Sequence, residues 1–341
     1  MIKVLIVDDS LTIRKKVAEL IENDPEMKVA GVAENGKKAI ELVKSLSPDV
    51  ILMDLVMPVK DGQEATELIM AYHPTPIIIH SSAENRGEEY KTMDALSAGA
   101  LDFIEKTCPD WEKEIIYRIK RASRIKVVTH LKRKMLPKKN AAVPAINAGT
   151  SANGYNLLVI GASTGGPKVV LDLLGRLPSN FPVPVIVVIH VPDSFRNSLA
   201  EWLNNNTSLL VKNPTDGETF KDKQRTVYLA PPGRHLIIQG SNLRLISTSP
   251  VNYCRPSIDV LFESVAGDNR LSPIAVLLTG MGRDGAKGLK AIRDSGGYTI
   301  AQDEKTCIVF GMPRAAIMIG AATTILPDFE IPPKIMRLVG I

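Results

Sequence analysis

Over the first 117 residues, short apolar runs alternate five times with amphipathic stretches, and this pattern constrains the fold more than any other feature of the chain. The apolar runs are residues 2–7, 28–33, 50–53, 76–80 and 101–104. Between them lie helical spacings such as Ile13, Val17, Leu20 and Ile21, or Ala39, Ile40 and Val43. Five strands with intervening helices imply a doubly wound α/β domain with a five-stranded parallel sheet. Ligands of such sheets sit at the carboxyl ends of the strands. The chemically unusual residues fall there: Asp8 and Asp9 after the first strand, Asp54 after the third, Ser81 after the fourth, and Lys106 past the fifth.

Gathered carboxylates repel one another by about 1–4 kcal/mol per pair at 4 Å, depending on the local dielectric. A hard divalent cation removes that penalty, and Mg²⁺ characteristically takes one or two carboxylates while keeping several waters. Its open positions can hold a phosphoryl group, with Asp54 as the nucleophile that forms an acyl phosphate. Lys106 and the Ser81 hydroxyl would pair with the phosphoryl oxygens. The plainer reading is that Asp8–Asp9–Ser10 only caps the first helix. Five such residues at strand ends favour the phosphoryl site.

The segments LIVDDS, ILMDLVMPVKDG, IIHSSAE and AGALDFIEK resemble the receiver domain of two-component response regulators over about 120 residues. The resemblance implies a flavodoxin-like fold and phosphorylation of Asp54 by a histidine kinase. It also implies Mg²⁺ held by Asp8, Asp9, Asp54 and the carbonyl of Val56, and a switch aromatic at Phe103. One departure is Thr107, where the family usually has proline after the lysine.

A chain of 341 residues has room for two domains, and its 45% hydrophobic and 23% charged content is that of a globular protein. The formal charge of +5 is unevenly spread. Residues 1–117 carry 13 Lys/Arg against 22 Asp/Glu, residues 118–155 carry 10 basic residues and no acid, and residues 156–341 carry 19 basic and 15 acidic. The boundary is therefore a basic connector, ending in KKNAAVPAINAGTSANG, a small and polar stretch that reads as a flexible linker. The expected organisation is a domain at 1–120, a basic helix extension and linker at 121–155, and a second domain at 156–341. No run approaches 18 apolar residues, so no membrane insertion is expected. The first ten residues do not read as a signal peptide. Three cysteines, Cys108, Cys254 and Cys307, without CxxC spacing, point to a reducing cytoplasm and to buried apolar roles.

In the second domain, an apolar strand at 156–160 runs into Gly161-Ala162-Ser163-Thr164-Gly165-Gly166-Pro167 and then a helical pattern. A dinucleotide site is disfavoured, because Ser163 stands where a glycine should admit the pyrophosphate, and the strand Val185–Ile189 ends in His190 rather than an acid. The alternative is a nucleophile turn: G-x-S-x-G lifts a serine hydroxyl to the mouth of an α/β sheet beside helix amides. His190, at the end of the next strand, would be its base. Asp284, in TGMGRDG after a strand at 274–278, would orient the imidazole. The order Ser…His…Asp differs from that of α/β-hydrolases. Plainer readings stay open: Asp284 as a helix N-cap, His190 as a structural histidine, and His235 as a rival base within a stretch at 227–246 that reads as a hairpin.

IGASTGGP, IHVPDSF, LAPPGRHL, RPSIDVLFESVA, LLTGMGRDGA and FGMPRAA resemble the methylesterase domain of the chemotaxis protein-glutamate methylesterases, the CheB family, across nearly all of 156–341. The resemblance implies a Rossmann-like α/β domain with an antiparallel hairpin and a Ser163–His190–Asp284 triad. It implies demethylation of glutamate methyl esters in methyl-accepting chemoreceptors, with deamidation of receptor glutamines in many members. Met281 and backbone amides near His190 are the oxyanion-side candidates, and no cofactor is expected in this domain. Cys254 and Arg196 depart from the commoner histidine and threonine. The alternative function is a receiver-controlled regulatory protein whose esterase site is idle or takes another ester.

Ile115, Ile116, Ile119, Ala122, Ile125, Val128, Leu131 and Met135 recur at helical steps, predicting one long amphipathic helix through the basic segment. Packing of its apolar face is the plainest role, with an electrostatic clasp on the acidic domain next. A nucleic-acid role lacks any accompanying helix-turn-helix, zinc or RNP signature. The resemblance further implies that the unphosphorylated receiver covers the esterase cleft.

Overall fold

The computed structural model describes residues 1–82, 85–107, 110–125, 127, 154–195, 198–220 and 225–341, and the chain divides into two compact units, Met1–Asn140 and Ala141–Ile341.

The first unit alternates strand and helix throughout: β1 (Ile2–Val7), α1 (Leu11–Glu22), β2 (Met27–Ala33), α2 (Gly36–Leu46), β3 (Val50–Met53), α3 (Gly62–Tyr72), β4 (Ile77–Ser81), α4 (Arg86–Ala98), β5 (Asp102–Glu105) and α5 (Trp111–Ala122). The strands form one parallel sheet in the order β2-β1-β3-β4-β5. β3 and β4 are buried at every residue, which is why they read as unbroken apolar runs rather than alternating ones. Four helices begin where a polar side chain accepts a hydrogen bond from the amide three residues on: Ser10, Asn35, Asp61 and Asn85.

The sequence predicts a helix running from 115 far into the basic segment. Among the described residues α5 stops at Ala122, with Ser123 as its C-cap, and Ile125 lies beyond it. Ile115, Ile119 and Ala122 are buried, so the apolar face does pack on the sheet. Val128, Leu131 and Met135 lie outside the described residues.

The second unit contains β6 (Leu157–Ala162), α6 (Gly166–Leu174), β7 (Val185–Ile189), α7 (Ser198–Asn206), β8 (Leu210–Lys212), β9 (Thr226–Leu229), β10 (His235–Gln239), β11 (Asn242–Ile246), α8 (Ile258–Ala266), β12 (Pro273–Leu277), α9 (Ala286–Asp294), β13 (Tyr298–Gln302), α10 (Met312–Met318), β14 (Thr324–Leu326) and α11 (Ile331–Val339). Seven strands make a parallel sheet in the order β14-β13-β12-β6-β7-β9-β8, and β10 and β11 form a separate antiparallel hairpin. The expected hairpin at 227–246 is therefore shorter. Its first residues belong to β9, which pairs in parallel with β7, and Pro231-Pro232-Gly233 separates the two.

From β6 the chain builds one half of the sheet through β7 and β9 and the other through β12, β13 and β14. The strand order thus reverses between β6 and β12, and a crevice is expected outside the carboxyl ends at that point. Leu261 and Phe262 of α8 and Leu289 of α9 are fully buried in the core over this half of the sheet, each worth about 1.5–3 kcal/mol of apolar burial.

Candidate functional site

In the first unit, Val7 pairs with Met53, so Asp8 and Asp54 leave adjacent strands side by side. The Asp54 amide donates to Val7 O at 2.8 Å, which extends this alignment beyond the ladder. Asp8 and Asp54 are buried, Asp9 is exposed, and the three bring one carboxylate oxygen each within 4.8 Å of one another. Lys106 Nζ lies 2.8 Å from both Asp8 Oδ2 and Asp54 Oδ2. Burial pushes the Asp54 carboxyl above its usual value, with the Lys106 ammonium pulling the other way. Burial works against the charged Lys106, but the two carboxylates outweigh it and hold the ammonium above its ordinary value.

Ser10, not Asp8, provides the cap of α1, accepting from the Ile13 amide at 3.4 Å. Asp8 Oδ1 accepts from the Ser10 amide at 2.9 Å, while its buried Oδ2 has the Lys106 ion pair but no hydrogen bond of good geometry. Three gathered carboxylates, one with a buried oxygen that makes no hydrogen bond of good geometry, are a hard donor set that fits Mg²⁺. Val56, on the loop after β3, is about half exposed. Ser81 is the last residue of β4 and buried, and its carbonyl accepts from the Lys106 amide at 3.0 Å. Phe103 is also buried.

In the second unit, Ser163 follows β6, His190 follows β7, and Asp284 lies beyond β12. These three strands are immediate neighbours with β6 in the middle. Backbone bonds pin the ends together: the His190 amide donates to Ala162 O at 3.1 Å and the Ser163 amide to Thr279 O at 3.0 Å. Ser163 sits on the turn that starts α6, where Gly165 has φ +75°, a conformation that side-chain-bearing residues adopt at a cost. Gly280 must also be glycine, because a Cβ there would come within 2.7 Å of Ser163 Cβ. Among the described residues, the peptide N–H of the next residue, Met281, donates to no backbone carbonyl.

His190 Nε2 is 3.0 Å from Asp284 Oδ2. Asp284 does not cap its own helix; the N-cap of α9 is Gly285. Its carboxylate instead reaches the start of α8, accepting from the Ile258 amide at 2.6 Å, the Asp259 amide at 3.3 Å and Ser257 Oγ at 2.7 Å. Asn252 Nδ2 adds a bond at 2.8 Å. A helix N-terminus favours an anion. Burial opposes the carboxylate, but His190 and these donors hold Asp284 below the usual carboxylate range. The same pairing acts on His190. Burial lowers its affinity for a proton, but the Asp284 bond and the Cys254 sulfur outweigh that, and its pKa is pushed up to about 9.

Among the described residues no hydrogen bond joins Ser163 Oγ to His190. The nitrogen left over, Nδ1, faces Cys254 Sγ at 3.6 Å. Cys254, beside the imidazole, and Cys307 are both half-buried rather than apolar core residues, and burial pushes the Cys307 thiol far up. Cys108 and Arg196 lie outside the described residues. His235 is fully buried, with Nδ1 accepting from the Ser257 amide at 3.1 Å and Nε2 3.1 Å from Ser249 O, so it serves the hairpin.

The sequence reading missed Asn252, Ser257 and Asp259 as partners of the site. Ser257 carried a signal, since a serine opening the run IDVLF is an N-cap pattern, and its amides mark a place for an anion.

The model of the CheB methylesterase family matches residues 158–335, and that of the response regulator receiver domain matches residues 4–120. The chain belongs to the CheB methylesterase family. The protein-glutamate methylesterase/protein-glutamine glutaminase of Methanococcus maripaludis is 38% identical over 359 residues, covering 98% of this chain and 97% of the relative. That of Thermotoga maritima is 38% identical over 349 residues, covering 99% and 98%. The crystal structure of the Thermotoga maritima CheB methylesterase catalytic domain is similar with a TM-score of 0.51 and 40% identity, covering 54% of this chain and 98% of that one. The chain therefore combines a receiver domain with a methylesterase domain, and both have parallel sheets as the sequence predicts. Among its described residues no helix is long and apolar enough to cross a membrane.

Proposed function

We propose that this chain is a phosphorylation-gated hydrolase that removes methyl esters from glutamates of methyl-accepting chemoreceptors, and deamidates receptor glutamines, in chemotaxis adaptation. The observation that carries the reading is the pair of His190, at the end of β7, and Asp284, in the loop beyond β12, those being the two strands that flank that of Ser163.

Ser163 attacks the γ-carbonyl carbon of the ester, and His190 takes its proton. Because Asp284 holds Nε2, the accepting nitrogen is Nδ1. Asp284 stays ionised and stabilises the imidazolium. Its four other donors keep the carboxylate from turning away. The Met281 amide is the donor for the developing oxyanion; of the amides near His190, that of His190 itself is already given to Ala162 O. Methanol leaves with the proton returned from Nδ1, and water hydrolyses the acyl-serine by the same route. Glutamine differs only in its leaving group, ammonia, so the same serine serves deamidation.

In the receiver, Asp54 takes a phosphoryl group from a histidine kinase. Asp8, Asp9 and Asp54, with the Val56 carbonyl, would hold Mg²⁺, which when bound would neutralise charge for that transfer. Lys106 leaves its carboxylate pair for the phosphoryl oxygens, with Ser81 alongside. Relief of receiver inhibition then raises hydrolysis.

Methanol release from methylated receptor tests the reading. Wild type should release methanol, faster with a small phosphodonor and Mg²⁺. Ser163→Ala should release none, and Asp54→Ala should lose only the stimulation. Methanol release by Ser163→Ala would exclude the proposed nucleophile. Release of methanol that no phosphodonor alters would exclude the gating.

A further inference from the structure

The four residues Val251–Cys254 form a tight turn in which Val251 N donates to Cys254 O at 3.1 Å and Cys254 N to Val251 O at 2.9 Å. Both central residues, Asn252 (φ 52°) and Tyr253 (φ 64°), are left-handed, the pattern of a type I′ turn. Asparagine tolerates this conformation, but tyrosine adopts it at a cost, so the turn is held by its surroundings. The Asn252 side chain supplies the anchor, donating to Asp259 Oδ2 and Asp284 Oδ1 at 2.8 Å each. The turn thereby fixes the Cys254 thiol against the one nitrogen of His190 that Asp284 does not hold.

We propose that Cys254 Sγ and His190 Nδ1 form a binding site for a borderline-soft divalent cation of the Zn²⁺ type, which switches the hydrolase off. The two atoms are 3.6 Å apart. A tetrahedral zinc ion with bonds of about 2.3 Å to sulfur and 2.0–2.1 Å to nitrogen spans its ligand atoms at about 3.6 Å. The spacing of the two donor atoms therefore already matches that of two ligands on one ion. The partner on the other nitrogen is also in place, since zinc-binding histidines generally give their second N–H to a carboxylate. Here Asp284 fills that position, and Cys254, His190 and Asp284 bring one donor atom each within 4.8 Å of one another. Thiolate and imidazole select zinc over the hard cation that suits the receiver carboxylates. Cys254 is partly exposed, which gives the ion a way in and leaves its remaining positions to water.

Binding releases the thiol proton of Cys254 and any proton on His190 Nδ1 to solvent, and no electron moves. The ion then occupies the lone pair that must accept the Ser163 proton, so attack on the ester stops. The inhibitory consequence rests on the proposed function, whereas the binding itself does not.

Cobalt(II) titration of the reduced full chain reads binding without activity. Wild type and Ser163→Ala should both develop the thiolate-to-cobalt charge-transfer absorption, and Zn²⁺ should abolish it. Cys254→Ser should not develop it, and Cys254→Ala replaces that variant if it fails to fold. Cobalt on the receiver carboxylates gives no such band. In the methanol assay, Zn²⁺ should inhibit wild type reversibly with a chelator. Replacing a direct ligand should weaken inhibition at least as much as the roughly 10–100-fold expected for a supporting partner, each variant measured against its own metal-free rate. A band that persists without Cys254, or equal inhibition of wild type and Cys254→Ser, overturns the proposal. A missing band with Ser163-dependent methanol release overturns the site and leaves the function standing. A band without methanol release does the reverse.

Discussion

Asp284 meets His190 at 3.0 Å while taking four further hydrogen bonds, two of them from the first amides of α8. The His190–Asp284 pair is thereby tied to the start of α8. Substituting Asp284→Asn keeps the shape but removes the charge that these donors and His190 face. By comparison with the same change in serine-protease triads, kcat should fall by about 10⁴-fold with a smaller effect on KM. A loss under tenfold in steady-state methanol release would remove Asp284 from the mechanism.

The pKa of His190, pushed up to about 9, sets a pH dependence. Only neutral imidazole can take the Ser163 proton, so kcat/KM should keep rising with pH towards about 9. An unperturbed histidine would level off near 6.5. A pH–rate profile with its inflection near 6.5 contradicts this expectation.

Asn252 ties Asp284 to Asp259, with a hydrogen bond to each carboxylate. Asn252→Gly preserves the left-handed backbone while deleting the amide. Hydrogen bonds to charged groups are worth about 1.5–3 kcal/mol, so denaturant unfolding of the methylesterase domain should shift by that order, and kcat should drop with it. Unchanged stability and rate would show that the amide is dispensable.

In the receiver, His80 is buried against Trp111, with ring centroids 5.3 Å apart, and its Nε2 lacks a hydrogen-bond partner among the described residues. Burial, with the nearby Lys106 charge, lowers its pKa from 6.5 to about 3. The folded state therefore binds this proton more weakly than the unfolded state. The resulting contribution costs nothing above about pH 6.5 and grows as pH falls towards 3. Between pH 8 and pH 5 it should cost the receiver about 2 kcal/mol. His80→Gln should flatten that dependence in denaturant titrations. An identical slope in both proteins would assign the acid sensitivity to other groups.

Much of this architecture is readable from residue order. β1, β3 and β7 span the expected residues because apolar runs buried on both faces have sharp ends. β8 and β14 are three-residue strands at the sheet edges, too short to leave an apolar signature. Thr226–Leu229 reads with the hairpin because it shares its apolar character; only the neighbouring β7 makes it a sheet strand.

Residue order alone places Ser163, His190, Asp8, Asp54 and Lys106 directly after strands, and Asp284 in the loop past one, because strand ends are marked locally by the change from apolar to polar residues. The tertiary structure decided which ends are neighbours, which nitrogen of His190 faces Asp284, and that Cys254 faces the other. It also decided that the charge of Asp284 rests on α8 rather than on its own helix. Those relations depend on directional contacts of 2.6–3.6 Å between segments up to 94 residues apart. No local pattern encodes such contacts, since strand order and side-chain rotation are settled only when the sheet closes and the buried donors must each find an acceptor.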